Sequence, residues 1–481
     1  MLVESLCVAL LTLSAVLADF EVPDALVEAY TPQGFSVSIP DQEGIKLFAF
    51  HGKINEEMNG REGGTFSRDI TKAKNGRWTF YDPITKLNVG DVIYYWTYVD
   101  YFDGRNKLGY PKDDQEFTVT ELLPKPVKGK PAPKPTIAPA IPPRIDVDGN
   151  VCEVTPTTVN TKETCKGKLI FNSSFTPEGI ARDWTIQRKY ALDPDFEFVM
   201  YDDSETMKTE NGRLVITPVL TDKIHGENYV GTSSGYDFGD RCTGVKGSPE
   251  CYQRPEAWFI IPPVTSAQIT TKGKFHFKYG RVEIRAKLPK GDWIYPELYL
   301  NSQNDDYGSY YQSGQIRIAF VSGNEQESKT LQGGAILGDS KAARKYAVKA
   351  VQRVSSWSDD FHVFTAIWKP DSIIVGVDDK VYANIFPPEN GFASLRNSLT
   401  IKHADRWQSG SKTAPFDKEM YLTIGVGVGG QNFEDRSDGS KPWTNSQPVS
   451  QKDFYRARSD WLKTWGEHSK LEVDYIRVYA L

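Results

Sequence analysis

Tyr94, Trp96 and Tyr98 recur at every second position of Val92–Val99, and Ile93, Tyr95, Thr97 and Val99 fill the places between. In a β-strand two such sets point to opposite faces of the sheet. The second set makes the better core, which leaves three aromatic rings on the other side. Rings on an outer face can stack on the flat apolar faces of pyranose sugars, because they offer large rigid area at little entropic cost. Charged side chains near the rings would bind sugar hydroxyls, and Asp69, Asp100, Asp103, Arg105 and Lys107 are the candidates. Trp96 also suits the buried tryptophan of a sandwich core, and Trp78 is a further candidate for either place. This part of the chain holds no catalytic constellation, so the chemistry it offers is binding.

Composition narrows the alternatives. A formal net charge of -6 over 481 residues argues against nucleic-acid binding, which draws on a basic field. Hydrophobic residues at 39% and charged residues at 25% describe a folded protein long enough for two domains. The 11 Trp and 24 Tyr fit either a large β-protein or a sugar binder. With six His and no Cys-x-x-Cys pair, neither a metal site nor a cofactor is expected.

Leu6–Leu17 is an apolar run too short to span a membrane. With Val16 and Ala18 placed before Asp19, residues 1–18 read as a signal peptide. The mature protein is therefore expected to be secreted, soluble and without a membrane span. Cys7 would leave with the signal; Cys152, Cys165, Cys242 and Cys251 remain, an even number that fits disulfides in an oxidising compartment. Of the three pairings open to four cysteines, the sequence-local one, Cys152–Cys165 with Cys242–Cys251, is expected. Asn172-Ser173-Ser174 is a sequon for N-glycosylation.

Leu123–Arg144 reads LPKPVKGKPAPKPTIAPAIPPR. So many prolines exclude strand and helix and predict a stiff, extended, Lys-bearing tether. A linker over 123–149 thus joins segments 19–122 and 150–481. The first segment carries strand patterns at Phe35–Ile39, Ile45–Phe50, Trp78–Tyr81 and Val92–Val99, with turns at Asn59-Gly60, Asn75-Gly76 and Asp103-Gly104. They predict an immunoglobulin-like β-sandwich. The second alternates cleanly over Phe275–Lys287 and continues at Ile316–Val321, Phe364–Trp368, Ile373–Val377, Tyr421–Val428 and Leu471–Tyr479. It predicts a large concanavalin-like β-jelly-roll sandwich, so the whole chain is all-β.

Tyr30–Phe35, Phe48–Asn55 and Gly90–Tyr98 resemble the amino-terminal glucan-binding module of insect β-1,3-glucan recognition proteins, carbohydrate-binding module family 39. The second segment resembles laminarinase-like glycoside hydrolases of family 16. Phe277–Pro289, Gly291–Pro296, Asp360-Phe361-His362 with Trp368, Pro415-Phe416-Asp417, Val428-Gly429-Gly430 and Val473–Tyr479 carry that likeness. Active members of that family have a strand reading Glu-x-Asp-x-x-Glu. Its first Glu is the nucleophile, and its last Glu the acid/base. The matching strand here, within Ser313–Asn324, has Gln315, Arg317 and Phe320 at those positions. An amide is a poor nucleophile, a guanidinium is a fixed cation, and a phenyl ring has no proton to give. The resemblance therefore implies a cleft with no catalytic residues and no hydrolysis. Trp293, Tyr295 and Trp407 are candidates for a second sugar site in that cleft, or for packing the sandwich.

The two resemblances stand in the order found in insect β-1,3-glucan recognition proteins, also called Gram-negative-bacteria-binding proteins, with the lepidopteran members the most similar. That implies an innate-immune sensor of the haemolymph. It would bind β-1,3-glucan of the curdlan or laminarin type and trigger the serine proteases that activate prophenoloxidase. An active secreted glucanase and a binder of lipopolysaccharide or lipoteichoic acid are the alternatives, and the three substitutions oppose the first. Single sugar contacts are weak, so ligand-driven self-association on a polymer is a further expectation.

Overall fold

The computed structural model describes residues 20, 22–102, 106–119, 122–124, 152–173 and 175–481. The expected signal segment, Asp103, Arg105 and most of the expected linker lie outside these residues. The chain divides into two compact units, Met1–Ala140 and Ile141–Leu481.

The first unit contains β1 (Leu26–Thr31), β2 (Phe35–Pro40), β3 (Ile45–Ile54), β4 (Phe66–Ile70), β5 (Arg77–Asp82), β6 (Val92–Phe102), β7 (Lys107–Thr118) and β8 (Leu123–Pro124). They form two four-stranded sheets, β5-β2-β1-β8 and β4-β3-β6-β7. The inward residues of both sheets, among them Phe35, Val37, Phe48, Phe50, Ile93 and Val99, make one core. This is the sandwich that period-two alternation predicts. Between β1 and β2 the chain turns at Gly34, whose φ of +105° favours glycine and where a Cβ would lie 2.9 Å from the Asp82 carbonyl oxygen. Trp78 faces this core at 5% exposure and donates its indole N–H to Asp41 at 2.8 Å. It is a core residue, which corrects its place among the sugar-binding candidates.

The second unit is built on two large sheets. One runs in the order Lys162–Cys165, Val154–Val159, Phe277–Lys278, Met420–Val428, Ile294–Ser302, Gln315–Phe320, Thr330–Ile336 and Ala347–Gln352. The other runs Met207–Glu210, Arg213–Ile216, Leu471–Tyr479, Gly280–Lys287, His362–Trp368, Ile373–Val377 and Lys380–Ile385. Their facing residues, including Ile284, Leu298, Ile318, Phe364, Ile424 and Ile476, form one core of the jelly-roll kind. Cys152 pairs with Cys165 and Cys242 with Cys251, the local pairing expected. No helix among the described residues is long and apolar enough to cross a membrane.

Candidate functional site

β6 sends Ile93, Tyr95, Thr97 and Val99 inward and leaves Tyr94, Trp96 and Tyr98 half-buried on the outer face. Antiparallel pairing seats Trp96 opposite His51 and Tyr98 opposite Ala49 on β3. β4 follows, with Ser67 opposite His51 and Asp69 opposite Ala49. Two rows therefore cross this face, Trp96–His51–Ser67 and Tyr98–Ala49–Asp69. In the first, the indole and imidazole rings stack with centroids 4.0 Å apart and planes 4° from parallel. The indole N–H donates to the Glu62 carbonyl at 2.8 Å, and the Ser67 hydroxyl lies 3.0 Å from His51 Nδ1. Trp96 is held in one orientation before any ligand arrives, which lowers the ordering cost of binding.

Tyr98 is fixed in the same way. Its hydroxyl donates to Asp100 at 2.9 Å, and Lys107 pairs with that carboxylate at 2.6 Å. The bond to Asp100 raises the Tyr98 phenol above its ordinary value. Asp100 and Lys107 thus spend their charges on each other and on the ring. At Gly109 on β7, a Cβ would collide with the Tyr98 hydroxyl, so the ring's position depends on the glycine.

Of the predicted residues, the structure brings Trp96, Tyr98, Asp69, Asp100 and Lys107 together. Asp103 and Arg105 lie outside the described residues. His51 and Gly109 are absent from the prediction. The alternation of Ala49, His51 and Lys53 marks the outer side of β3, but the register that stacks His51 on Trp96 is written in neither strand alone.

In the second unit, Gln315 and Arg317 line grooves while Ile316 and Ile318 join the core. A register shift between Arg317 and Phe320 acts as a β-bulge. It returns Phe320 to the side of Arg317, whose guanidinium lies 5.0 Å from the ring centre. Arg317 is buried and donates to Gln315 Oε1 at 3.1 Å, to the Tyr311 hydroxyl at 3.2 Å and to Asn432 Oδ1 at 2.7 Å. Asp195 lies 3.7 Å from Arg317, pairs with Arg344 and accepts the Tyr311 hydroxyl at 2.7 Å. Burial pushes the Asp195 carboxyl up, but Arg344 and Arg317 outweigh it and hold the group below its ordinary value. Two grooves meet this network. One of about 360 Å³ includes Gln315 and Asp195, and one of about 840 Å³ includes Arg317 and Phe320.

The expected second sugar site at Trp293, Tyr295 and Trp407 does not form. The three are 4%, 0% and 1% exposed. Trp293 packs edge-on against Phe433 and Trp443, Tyr295 packs on Phe320, and the Trp407 indole donates to the Gln312 carbonyl at 2.7 Å. Rings so covered present no face to a sugar. The Asn172 side chain of the sequon is exposed, while Ser174 lies outside the described residues. Among the described residues no group of three His, Cys, Asp or Glu is placed to hold a metal.

Glu297 lines the smaller groove at 1% exposure and accepts from Tyr201 at 2.8 Å and Gln268 at 3.0 Å. Burial raises its carboxyl to about 7, against the pull of those two donors. Between its ordinary value of 4.5 and about 7 the folded state holds more protons than the unfolded one. Its stability contribution is therefore complete below pH 4.5 and is lost as pH rises through about 7. Glu297→Gln should raise the unfolding temperature at neutral pH by several degrees and flatten this dependence, which calorimetry across pH checks.

The model of CBM39, described as "Carbohydrate binding domain (family 32)", matches residues 21–136, and that of "Glycosyl hydrolases family 16" matches residues 245–420. A β-1,3-glucan-binding protein of Tenebrio molitor is 58% identical over 464 residues, covering 96% of each chain. β-1,3-Glucan-binding protein 1 of Manduca sexta is 42% identical, again over 96% of each. Gram-negative bacteria-binding protein 3 of Drosophila melanogaster is 37% identical, covering 99% of this chain and 98% of that one. The likeness to the lepidopteran protein is thus smaller than that to the Tenebrio molitor protein. On identity of this depth across nearly the whole length, the chain belongs to the insect family of β-1,3-glucan-binding and Gram-negative bacteria-binding proteins.

Proposed function

We propose that this protein binds β-1,3-glucan on the outer face of β3, β4 and β6 and does not cleave it. The observation that carries this reading is Trp96, half-buried on that face and locked by His51 and Glu62 within the unit matched as a carbohydrate-binding domain. Asp69 and Tyr98 supply a carboxylate and a second ring one row away.

The second unit supports the absence of hydrolysis. Retaining glycosidases need two carboxyl groups, one to attack and one to donate a proton. Gln315 and Phe320 stand where the resemblance places them. Asp195 is engaged by Arg317, Arg344 and Tyr311, and Glu297 by Tyr201 and Gln268. Laminarin incubated with the protein should show no shortened oligosaccharides by mass spectrometry. Turnover that disappears in Gln315→Ala would overturn this.

The protein acts as a secreted sensor whose contact with microbial glucan starts the serine-protease cascade leading to prophenoloxidase. The name of the Drosophila melanogaster relative favours a second ligand on Gram-negative bacterial surfaces, of which lipopolysaccharide is the candidate. Competition between laminarin and lipopolysaccharide for the immobilised protein separates one site from two.

A further inference from the structure

We infer that the ion pair Arg61–Asp113 is a clasp that aims the Trp96 indole, which makes the binding of an uncharged glucan sensitive to salt. The glucan part rests on the function proposed above; the aim of the indole does not.

β7 carries one residue too many where it passes Trp96. Tyr95 pairs with Gln115 and Thr97 with Lys112, so Asp113 and Asp114 together oppose the one tryptophan. Such a bulge re-aims a side chain of its strand. Asp114 absorbs the distortion at a φ of +49°, a region aspartate enters more readily than most residues. Gln115 Nε2 donates to the Asp113 carbonyl at 2.7 Å. The Asp113 carboxylate accepts from Arg61 Nε at 2.9 Å and from Arg61 Nη2 at 2.7 Å. Two parallel bonds fix the direction of the pair as well as its distance.

Arg61 belongs to the loop between β3 and β4, residues 55–65, and Glu62 follows it. The Glu62 carbonyl takes the Trp96 indole N–H at 2.8 Å, so the clasp acts one residue from the bond that orients the ring. With Gly60, Gly63 and Gly64 the loop has backbone freedom that only fastening removes. A Cβ on Gly64 would lie 2.6 Å from the Gly52 carbonyl oxygen, so the loop lies directly against β3. Lys53 of β3 holds it there, pairing with Glu62 at 2.9 Å and Glu56 at 2.7 Å. The Asn59 N–H donates to the same Glu62 carboxylate at 2.6 Å. Asn59 and Lys53 hold the Glu62 carboxyl below its ordinary value, and Arg61 does the same for Asp113. A ring of contacts thus closes, from Trp96 to Glu62, from Arg61 to Asp113, and through the bulge back to Trp96.

An isolated pair whose side chains are 57% and 39% exposed would hold little. A bidentate fork within a charge network is the arrangement that does. Its exposure leaves it open to screening, whose range falls from about 10 Å at 0.1 M salt to about 3 Å at 1 M. Loosening the clasp frees the Glu62 carbonyl, and ordering the indole then opposes binding.

The full chain labelled with fluorotryptophan gives both readouts, its Trp96 fluorine signal being assigned from Trp96→Phe. Arg61→Ala and Asp113→Ala should each move that signal and weaken laminarihexaose binding about three- to five-fold. The double variant should lose no more than either single one, since both remove the same interaction. Arg61→Lys should fall between Arg61→Ala and the unmodified chain, because it keeps the charge without the fork. Raising NaCl from about 0.1 M to about 1 M should weaken the unmodified chain more than the double variant. A Trp96 signal unmoved in both single variants overturns the clasp, and so do losses that add in the double variant. An equal salt effect on the unmodified chain and the double variant overturns it as well. If the signal moves as expected but the unmodified chain ignores laminarihexaose, the clasp stands and the glucan reading falls.

Discussion

Trp96→Ala removes most of the protein's retention on curdlan while leaving its folding intact. An indole at the centre of a contact surface costs about 2 kcal/mol or more on truncation, which is about 30-fold in affinity. The fold should tolerate the change because Trp96 sits on the outer face, held by its His51 stack and a hydrogen bond to the Glu62 carbonyl. Those contacts are worth about 1 kcal/mol of stability. Trp78→Ala is the contrasting variant, because it empties a core position and strands Asp41. It should lower the unfolding temperature of the first unit. A curdlan sedimentation assay beside a thermal melt distinguishes the two, and full retention by Trp96→Ala would remove the indole from the binding face.

Asp195→Ala produces the largest loss of stability in the second unit. The carboxylate is 2% exposed and serves the buried guanidinium of Arg317 and the half-buried one of Arg344, together with the Tyr311 hydroxyl. Removing it leaves cations in a low-dielectric interior without their counter-ion, which costs about 3–5 kcal/mol. The second-unit transition should fall by roughly 10 °C. Changing Asp195→Asn and Arg317→Gln together should recover part of that loss, since it removes charge on both sides. The same pairing sets an acid limit. The folded-state carboxyl is held below its ordinary value of 3.8. Its stabilisation is thus present above pH 3.8 and declines as the pH falls through the folded-state value. Calorimetry of the single and double variants measures both effects, and equal losses in the two would show that the ion pair is not the cause.

Local signals in the chain were legible and long-range ones were not. The two faces of β6 follow from its period-two alternation, because direction along a strand is fixed by neighbours. The disulfides link cysteines 13 and 9 residues apart, close enough for loop geometry to favour them. The prolines of Leu123–Arg144 suggest a stretch without strand, yet Leu123–Pro124 forms β8 beside β1, and the division between the two units falls further on, between Ala140 and Ile141. The fate of individual rings is different, since a tryptophan reads alike whether buried or open. Trp293, Tyr295 and Trp407 offered themselves as sugar contacts and are core. At Trp258-Phe259-Ile260-Ile261 the structure covers Ile260 and Ile261 and exposes the two rings before them. His51 meets Trp96 through strand register, and Asp195 reaches Arg317 across 122 positions of chain. Neither contact leaves a local pattern.

Residues 19–122 and 150–481, expressed separately, give the most direct test, because the described parts of the two units have separate cores. Each fragment would be mixed with insoluble curdlan and, in parallel, with cellulose. Glucan recognition by the first unit predicts that the 19–122 fragment sediments with curdlan and stays in solution with cellulose. A 19–122 fragment that folds but ignores curdlan, whether or not 150–481 binds it, would contradict that claim.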